Sequence, residues 1–390
     1  MTTRRDFLKK LGSGAVALVG VQFLSGCEEL VFESKVAGAP LSFMTPAEDG
    51  SWYWQSGNGI AKDDAPDIAP EDWTLKIRNN GNRVGGVSFA DLQALADNGE
   101  SLSYWKTMRC VYGAYVGPAA TTFVANGIFT GIPLHRVLEE AGVDPDANAK
   151  LRVFGADGFS SNIPIGRAFD AGPSPLAPLL AYELNGEPIS RLRGGPVRLV
   201  IPETWGYKNV KWLDALEATP SDAIFGTYET ERFNPQTNPS VSAETQRRID
   251  DPGQISLASV VSDPNAVSAT LKGPDVTIAG ASFAGGQKIV DVQVALDDGP
   301  FESAQLKGYE EMLDALSPAQ RELAAECAQQ SEDWPFVGVW RTWTKTFSGL
   351  APGDYIVTIR ARDDAGQAQS GDTSQPLVIA PEVRVPFRVT

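Results

Sequence analysis

Along the first half of the chain the apolar positions follow two different periods. Phe89-Ala-Asp-Leu-Gln-Ala-Leu95 spaces them three and four apart and predicts a helix. Pro133-Leu-His-Arg-Val-Leu-Glu-Glu-Ala-Gly142 predicts another, opening on a proline suited to a first helical turn and closing on a glycine. Residues 151–154 and 197–201 are short apolar runs that predict strands. An extended, alternating segment leads into Trp105-Lys-Thr-Met-Arg-Cys-Val-Tyr-Gly-Ala-Tyr115, which places Cys110 at a strand end or in the loop behind it. Beyond residue 255 the pattern becomes short strands at 255–261, 276–281, 289–296, 342–347 and 354–362, with Asp297-Asp298-Gly299 as a turn. That spacing predicts a β-sandwich. Residues 307–333 interrupt it with helical composition at 309–316 and 318–330. The stretch 236–254 is polar and rich in Pro, Asn and Ser, as a linker is. The fold class expected is therefore α+β: a mixed α/β domain over 51–235, a linker over 236–254, and a sandwich over 255–390 with a helical insertion near 307–333.

Composition narrows what such a chain does. Its 390 residues suffice for two cores. A net charge of −16 argues against nucleic acid, whose phosphates demand a basic surface. The single histidine, His135, excludes a multi-histidine zinc site and reads as an ordinary residue of its helix. No Cys-x-x-Cys-His occurs, so there is no c-type haem attachment site. At the N-terminus, Arg4-Arg5-Asp-Phe7-Leu8-Lys9 resembles a twin-arginine export signal, and the apolar run behind it is too short and weak for a convincing membrane span. Leu24-Ser25-Gly26-Cys27 resembles a lipoprotein box with Cys27 as the lipidated residue. Residues 1–27 are then an address and 28–50 a tether. Such a signal implies a periplasmic, membrane-anchored protein exported already folded, and raises the expectation of a complex cofactor.

Three cysteines remain to be explained. Cys27 belongs to the signal, and Cys327 falls in the insertion as a small buried residue or free thiol. Cys110 is open to several roles: nucleophile, redox thiol, soft-metal ligand or inert core residue. Two loops add cations. Arg191-Leu-Arg193-Gly194-Gly195-Pro-Val-Arg198 combines glycines that let a ligand approach the backbone with arginines that can fork onto phosphate oxygens. Trp205-Gly-Tyr-Lys208-Asn-Val-Lys211-Trp212 sets two lysines among aromatic rings, an unusual cluster in an acidic protein.

The succession Met-Arg-Cys110, Gly131-Ile-Pro, Gly155-Ala-Asp-Gly-Phe-Ser-Ser-Asn-Ile-Pro164, Asn185-Gly-Glu-Pro188, Gly-Gly-Pro-Val-Arg198 and Gly206-Tyr-Lys-Asn-Val-Lys-Trp-Leu213 resembles the molybdopterin domain of the sulfite oxidase family over roughly residues 50–220. Gly280-Ala-Ser-Phe-Ala-Gly-Gly286, Val290–299 and Trp340-Arg-Thr-Trp343 resemble the immunoglobulin-like dimerisation domain that follows it, so a homodimer is a further expectation. The resemblance implies a molybdenum–pyranopterin cofactor without an added nucleotide. Cys110 would be the protein thiolate on molybdenum. Arg198 and Lys211 match positions that hold the pterin phosphate, Arg193 a position that is often basic or histidine, and Asn209 a small polar contact. Lys208 stands where sulfite-oxidising members carry arginine and the methionine sulfoxide reductase branch carries lysine.

Departures from the family pattern concern the substrate. Tyr115 stands five residues after Cys110, where sulfite-oxidising members have arginine. Gln55 stands in an aromatic segment that tends to have arginine, and Phe159 aligns with the family's active-site tyrosine. The chain end from 374 also lacks the usual Asn- and Gly-containing ending. With Tyr112, Trp205 and Tyr207, these residues predict an aromatic, weakly charged pocket, suited to a larger or neutral substrate better than to sulfite. Arg109 is the remaining cation beside Cys110, either catalytic or structural. The reading is an oxygen-atom-transferring molybdenum oxidoreductase acting on a small molecule other than sulfite. Its electrons would pass to an external partner such as a c-type cytochrome, because the chain has no haem or iron–sulfur cysteine set. Alternatives are a sulfite dehydrogenase, a sulfoxide reductase-like enzyme and a non-catalytic surface lipoprotein.

Overall fold

The computed structural model describes residues 31–33, 41–47, 51–114, 123–169, 176–239, 241–251, 253–263, 269–371 and 380–390. The expected roles of Cys27 and Tyr115 fall outside the described residues. Among those described, no helix is long and apolar enough to cross a membrane.

The first domain is built from strands β1 (Thr74–Asn79), β2 (Asn82–Ser88), β3 (Leu102–Arg109), β4 (Val124–Pro133), β5 (Lys150–Gly155), β6 (Ser160–Pro164), β7 (Leu179–Leu184), β8 (Glu187–Pro188), β9 (Arg198–Val200) and β10 (Leu213–Thr219). One sheet runs β8-β7-β4-β3, with β9 also paired to β7; the other runs β2-β1-β10-β5-β6. All pairings are antiparallel except β10 with β1. Helix α1 (Phe89–Asp97) starts where Ser88 and Asp91 form a reciprocal capping box, and α2 (Leu134–Glu140) lies within the predicted 133–142. The hydrophobic pattern did not predict β4. It is buried on both faces and so does not alternate. It also contains Gly127 and Gly131; a Cβ at Gly131 would come within 2.6 Å of the Ala181 Cα of the neighbouring strand. Close approach of two backbones explains a glycine that reads, in sequence, as a break.

The second domain is a sandwich. One sheet runs Ala258–Asp263, Val276–Phe283, Arg341–Phe347, Gln305–Leu306; the other runs Ala269–Leu271, Val383–Val389, Gly353–Asp363, Ile289–Leu296, Glu302–Ser303. Ile278, Val292, Trp343, Val357 and Ile359 fill the space between them. The segment 236–254 is more than a polar linker. It contains helix α3 (Ala243–Asp250), capped by Ser242, whose buried Thr245, Ile249 and Asp250 face the first domain, Asp250 pairing with Lys150, while Glu244, Arg247 and Arg248 are exposed.

Strand β3, which delivers Cys110, lies at the edge of its sheet, and an uncovered edge leaves backbone groups unpaired. The second domain covers it. The Gln329 carboxamide acts as a missing strand: Oε1 accepts from Trp105 N at 3.0 Å and Nε2 donates to Trp105 O at 2.8 Å. Thr107 N donates to Gly338 O, and Trp340 N donates to Thr107 Oγ1. Gln329 is held by the insertion, whose helices are Tyr309–Leu313 and Pro318–Ala325, shorter than the expected 309–316 and 318–330. After Ala325 the chain tightens into a 3-10 turn, Ala328–Ser331. Cys327 is buried there with its thiol near Leu323 O, as expected for an inert residue.

Two outcomes follow from β3. Gln329→Ala strands both Trp105 groups without water, a loss of about 2–4 kcal/mol for two buried partners. Its thermal midpoint should fall by several degrees relative to the parent; an unchanged midpoint would show that the edge is not sealed by this side chain. Lys106 is also fully buried, donating to Thr204 O at 3.1 Å, and burial lowers its pKa to about 7. Above that pH the folded chain has released a proton that the unfolded chain still binds, so folding stability rises with pH up to the ordinary lysine range. The slope is at most about 1.4 kcal/mol per pH unit. Urea midpoints of Lys106→Met and the parent should therefore converge in the parent's favour between pH 7 and 9; a pH-independent difference would contradict the assignment.

Candidate functional site

A cleft of about 680 Å³, its open mouth included, lies where the loops before and after β9 meet the Trp52–Gly57 segment. The loop before β9 makes a 3-10 turn, Arg191–Arg193, and leaves it at Gly194 with φ +102°. A Cβ at Gly194 would sit 2.6 Å from the Cβ of Lys211, so only glycine lets the two loops close on one another. Three cations consequently face the cleft: Arg193, Arg198 and Lys211.

Their hydrogen bonds run to backbone carbonyls. Arg193 donates to Tyr53 O at 3.0 Å; Arg198 donates to Arg193 O at 2.7 Å and Asn209 O at 2.8 Å; Lys211 donates to Gln55 O at 3.0 Å. The Lys211 ammonium also lies over Trp54, 3.8 Å from the ring centre, and over Trp212 at 4.2 Å. Burial, with repulsion from Arg193, lowers the Arg198 pKa to about 10. Burial and both arginines hold Lys211 well below the usual lysine range, against the weaker pull of Asp157. Asp157 is the carboxylate of this cleft, and burial raises its own pKa. The Arg198 Nε is buried without a hydrogen-bond partner. A cleft with more cations than carboxylates, and an open guanidinium edge, is built for an anion.

Cys110 follows β3 directly and is 2% exposed. Its thiol donates to Gln55 Oε1 at 2.5 Å, and Gln55 lines the cleft. Burial pushes the thiol pKa up to about 12, opposed by the Tyr112 and Gly113 amides and the charge of Arg109. Left to itself the sulfur stays protonated; a bound metal would take it as thiolate.

The opposite wall is aromatic. Phe159, Tyr207 and Tyr228 line it, with Tyr207 and Tyr228 stacked at 5.2 Å and Phe159 edge-on to Tyr228 at 5.7 Å. Tyr112 packs behind Tyr228 at 5.9 Å. The Gln55 amide also donates to the Tyr228 hydroxyl, so one carboxamide ties Cys110 to Tyr228. Tyr228 belongs to a wide helical turn, Tyr228–Arg232, whose next residue is Glu229. Glu229 and Lys208 form an ion pair at 2.8 Å with neither side chain exposed. Lys208 also donates to Asn162 O and Asp250 O, and Ser161 donates to Glu229. This buried network fixes the Tyr207 and Tyr228 backbones from behind.

Several expected site residues take other roles. Lys208 faces this network, away from the cleft, because the buried carboxylate of Glu229 needs it. Asn209 borders the cleft, but its side chain is engaged with Ile201 N, Thr204 Oγ1 and Trp205 O, so it staples the loop. Trp205 and Arg109 face the second domain, the guanidinium 5.6 Å from the indole centre. Arg193, Arg198, Lys211, Phe159 and Tyr207 line the one cleft, and Cys110 adjoins it through Gln55. Tyr53 and Tyr228 were missed. Tyr53 lines the cleft, and burial beside Cys110 raises its pKa further than the flanking arginines lower it. Its position in the aromatic Trp52-Tyr-Trp run is a usable signal, whereas the sequence around Tyr228 carries no motif.

Among the described residues no three His, Cys, Asp or Glu side chains converge on one point. The anionic tail of an organic cofactor fits Arg193, Arg198 and Lys211, and the soft sulfur of Cys110 fits molybdenum.

The model of the oxidoreductase molybdopterin binding domain matches residues 62–224. The mitochondrial sulfite oxidase of Drosophila melanogaster is 29% identical over 253 residues, 60% of this chain and 43% of that one. The human mitochondrial sulfite oxidase is 30% identical over 202 residues, 49% of this chain and 36% of that one. The chain thus spans less than half the length of these relatives. The sulfane dehydrogenase SoxCD from Paracoccus pantotrophus has the same fold, with a TM-score of 0.65 at 19% identity, over 93% of this chain and 82% of that one. Residues 62–224 are thus an oxidoreductase molybdopterin binding domain, in a chain similar to sulfite oxidases in sequence and to SoxCD in fold.

Proposed function

We propose that the chain is an exported molybdenum–pyranopterin oxidoreductase that uses Cys110 as its sulfur ligand and acts on a neutral substrate larger than sulfite. The observation that carries this reading is that Arg193, Arg198 and Lys211 share one cleft with the uncharged rings of Phe159, Tyr207 and Tyr228 and with Gln55, which accepts from the Cys110 thiol. Arg193, Arg198 and Lys211 hold the pterin phosphate. When bound, the cofactor supplies two-electron redox chemistry and oxygen-atom transfer at molybdenum. The chain's own contribution is positional. Gln55 anchors the Tyr228 hydroxyl beside the sulfur, and the proton that Cys110 donates to Gln55 is given up when the thiolate binds the metal. Phe159, Tyr207 and Tyr228 exclude water and shape the space beside the sulfur. A small oxyanion calls for forked arginine contacts. The cations of the cleft are committed to its other wall, and Arg109 faces away. A sulfoxide, or the thioether it derives from, suits neutral aromatic walls better. Sulfite oxidation is the second reading, favoured by the relatives' names alone.

Twin-arginine export, a lipid anchor at Cys27 and a periplasmic location are parts of the same proposal, supported by Arg4-Arg5 and by Leu24-Ser25-Gly26-Cys27. Electrons leave or enter through a separate carrier; a basic c-type cytochrome suits a chain of net charge −16.

Steady-state assays with an artificial electron carrier test the reading. The molybdenum-loaded protein should favour an aryl methyl sulfoxide or thioether over sulfite in kcat/KM by at least about tenfold, the worth of one absent charge-assisted contact. Cys110→Ser should abolish turnover of every substrate with an unchanged circular dichroism spectrum. Preferential sulfite turnover would overturn the substrate assignment, and full activity of Cys110→Ser would remove the ligand.

A further inference from the structure

Arg109 and Cys110 are consecutive, and their side chains serve opposite sides of the chain. The Arg109 guanidinium lies between the domains, 5.6 Å from the Trp205 ring centre and 5.0 Å from that of Phe283 in the sandwich. It is 5% exposed. Its Nη2 donates to Gly113 O at 3.0 Å, its Nε has no partner, and no carboxylate pairs with it among the described residues. Aromatic faces recover about 0.5–2 kcal/mol for such a charge, well short of the several kcal/mol that burying an unpaired ion costs. Gly113 leaves the Nε edge uncrowded, since a Cβ there would lie 3.2 Å from it.

Arg109 borders a cavity of about 460 Å³, mouth included, whose other walls include Trp205, Glu382 and Arg384. Glu382 is already claimed: Arg360 donates to its Oε1 from Nε at 2.8 Å and from Nη2 at 2.6 Å. Arg384 is exposed and forms no ion pair among the described residues. The cavity wall carries Arg109 and Arg384 against Glu382, whose charge Arg360 already neutralises from outside it, a cationic site in a chain of net charge −16. The cofactor cleft shares neither Arg109 nor Arg384.

We propose that this interdomain cavity is a binding site for a small inorganic oxyanion of the sulfate class, held by Arg109 from within and Arg384 at the mouth. The Nε edge of a guanidinium presents donors that match oxyanion oxygens, and burial makes such contacts stronger than they are in water. The ion would neutralise Arg109 and join β3 to the sandwich. The proposal does not rest on the identity of the cofactor or substrate.

Sulfate titrated into the full-length, cofactor-loaded protein at constant ionic strength, followed by calorimetry, tests it. The parent should bind one sulfate per chain saturably. Arg109→Gln should weaken binding at least about tenfold, and Arg384→Gln severalfold. Arg78→Gln, exposed on the first domain and outside both cavities, should leave it unchanged. Because Arg109 is buried, the exposed Arg384→Gln variant decides the matter if Arg109→Gln does not fold. Absence of saturable binding in the parent overturns the proposal. So does an affinity untouched by Arg384→Gln, or one lost equally in Arg78→Gln.

Discussion

Three cations that repel one another are held in one cleft by carbonyl dipoles. Arg193, Arg198 and Lys211 find Tyr53 O, Arg193 O, Asn209 O and Gln55 O, and the carboxylate within reach of the group, Asp157, is itself partly neutralised by burial. Carbonyl partners accept these hydrogen bonds without carrying a counter-charge. Burial first, and then repulsion within the group, lowers the pKa values of Arg198 and Lys211. Two like charges a few ångströms apart cost several kcal/mol at the effective dielectric of a protein. Such an arrangement is stable only where a rigid frame imposes it, and it yields a preformed site for an anion.

The frame is shared between the domains. Strand β3 carries Cys110 toward the cleft and Arg109 toward the sandwich, and its open edge is closed by Gln329 and Gly338 of the second domain. Helix α3 closes the other side, where Tyr207 donates to Ile249 O and Lys208 to Asp250 O. The second domain is therefore part of what positions the sulfur. A change at Gln329, far from the cleft in sequence, acts on the strand that ends at Cys110.

Apolar spacing identified α1, α2, the strands around Arg152 and Arg198 and five strands of the sandwich, but not Val383–Val389, whose polar residues and proline read as an irregular chain end. It missed β4, whose two buried faces and close-approach glycines remove the alternation. It took α3 for a linker because most of that helix is polar, and of the three residues that turn inward, Thr245, Ile249 and Asp250, only Ile249 is apolar. In the site, Cys110, Arg193, Arg198 and Lys211 were legible because unusual residue types recur at motif spacing. The directions of Lys208, Trp205 and Arg109 were not legible, since each depends on a partner remote in sequence: Glu229, the sandwich and Phe283. Tyr228 reaches the cleft only through tertiary packing.

The central claim is that the cationic wall and Cys110 together form a molybdenum–pterin site. Molybdenum and released pterin per chain, measured on protein exported from molybdate-supplied cells, test it most directly. The account predicts near-stoichiometric amounts of both in the parent and a severe loss of pterin in an Arg198→Gln, Lys211→Gln double variant that still folds. Well-folded parent protein without molybdenum or pterin, or a double variant that retains both in full, would contradict it.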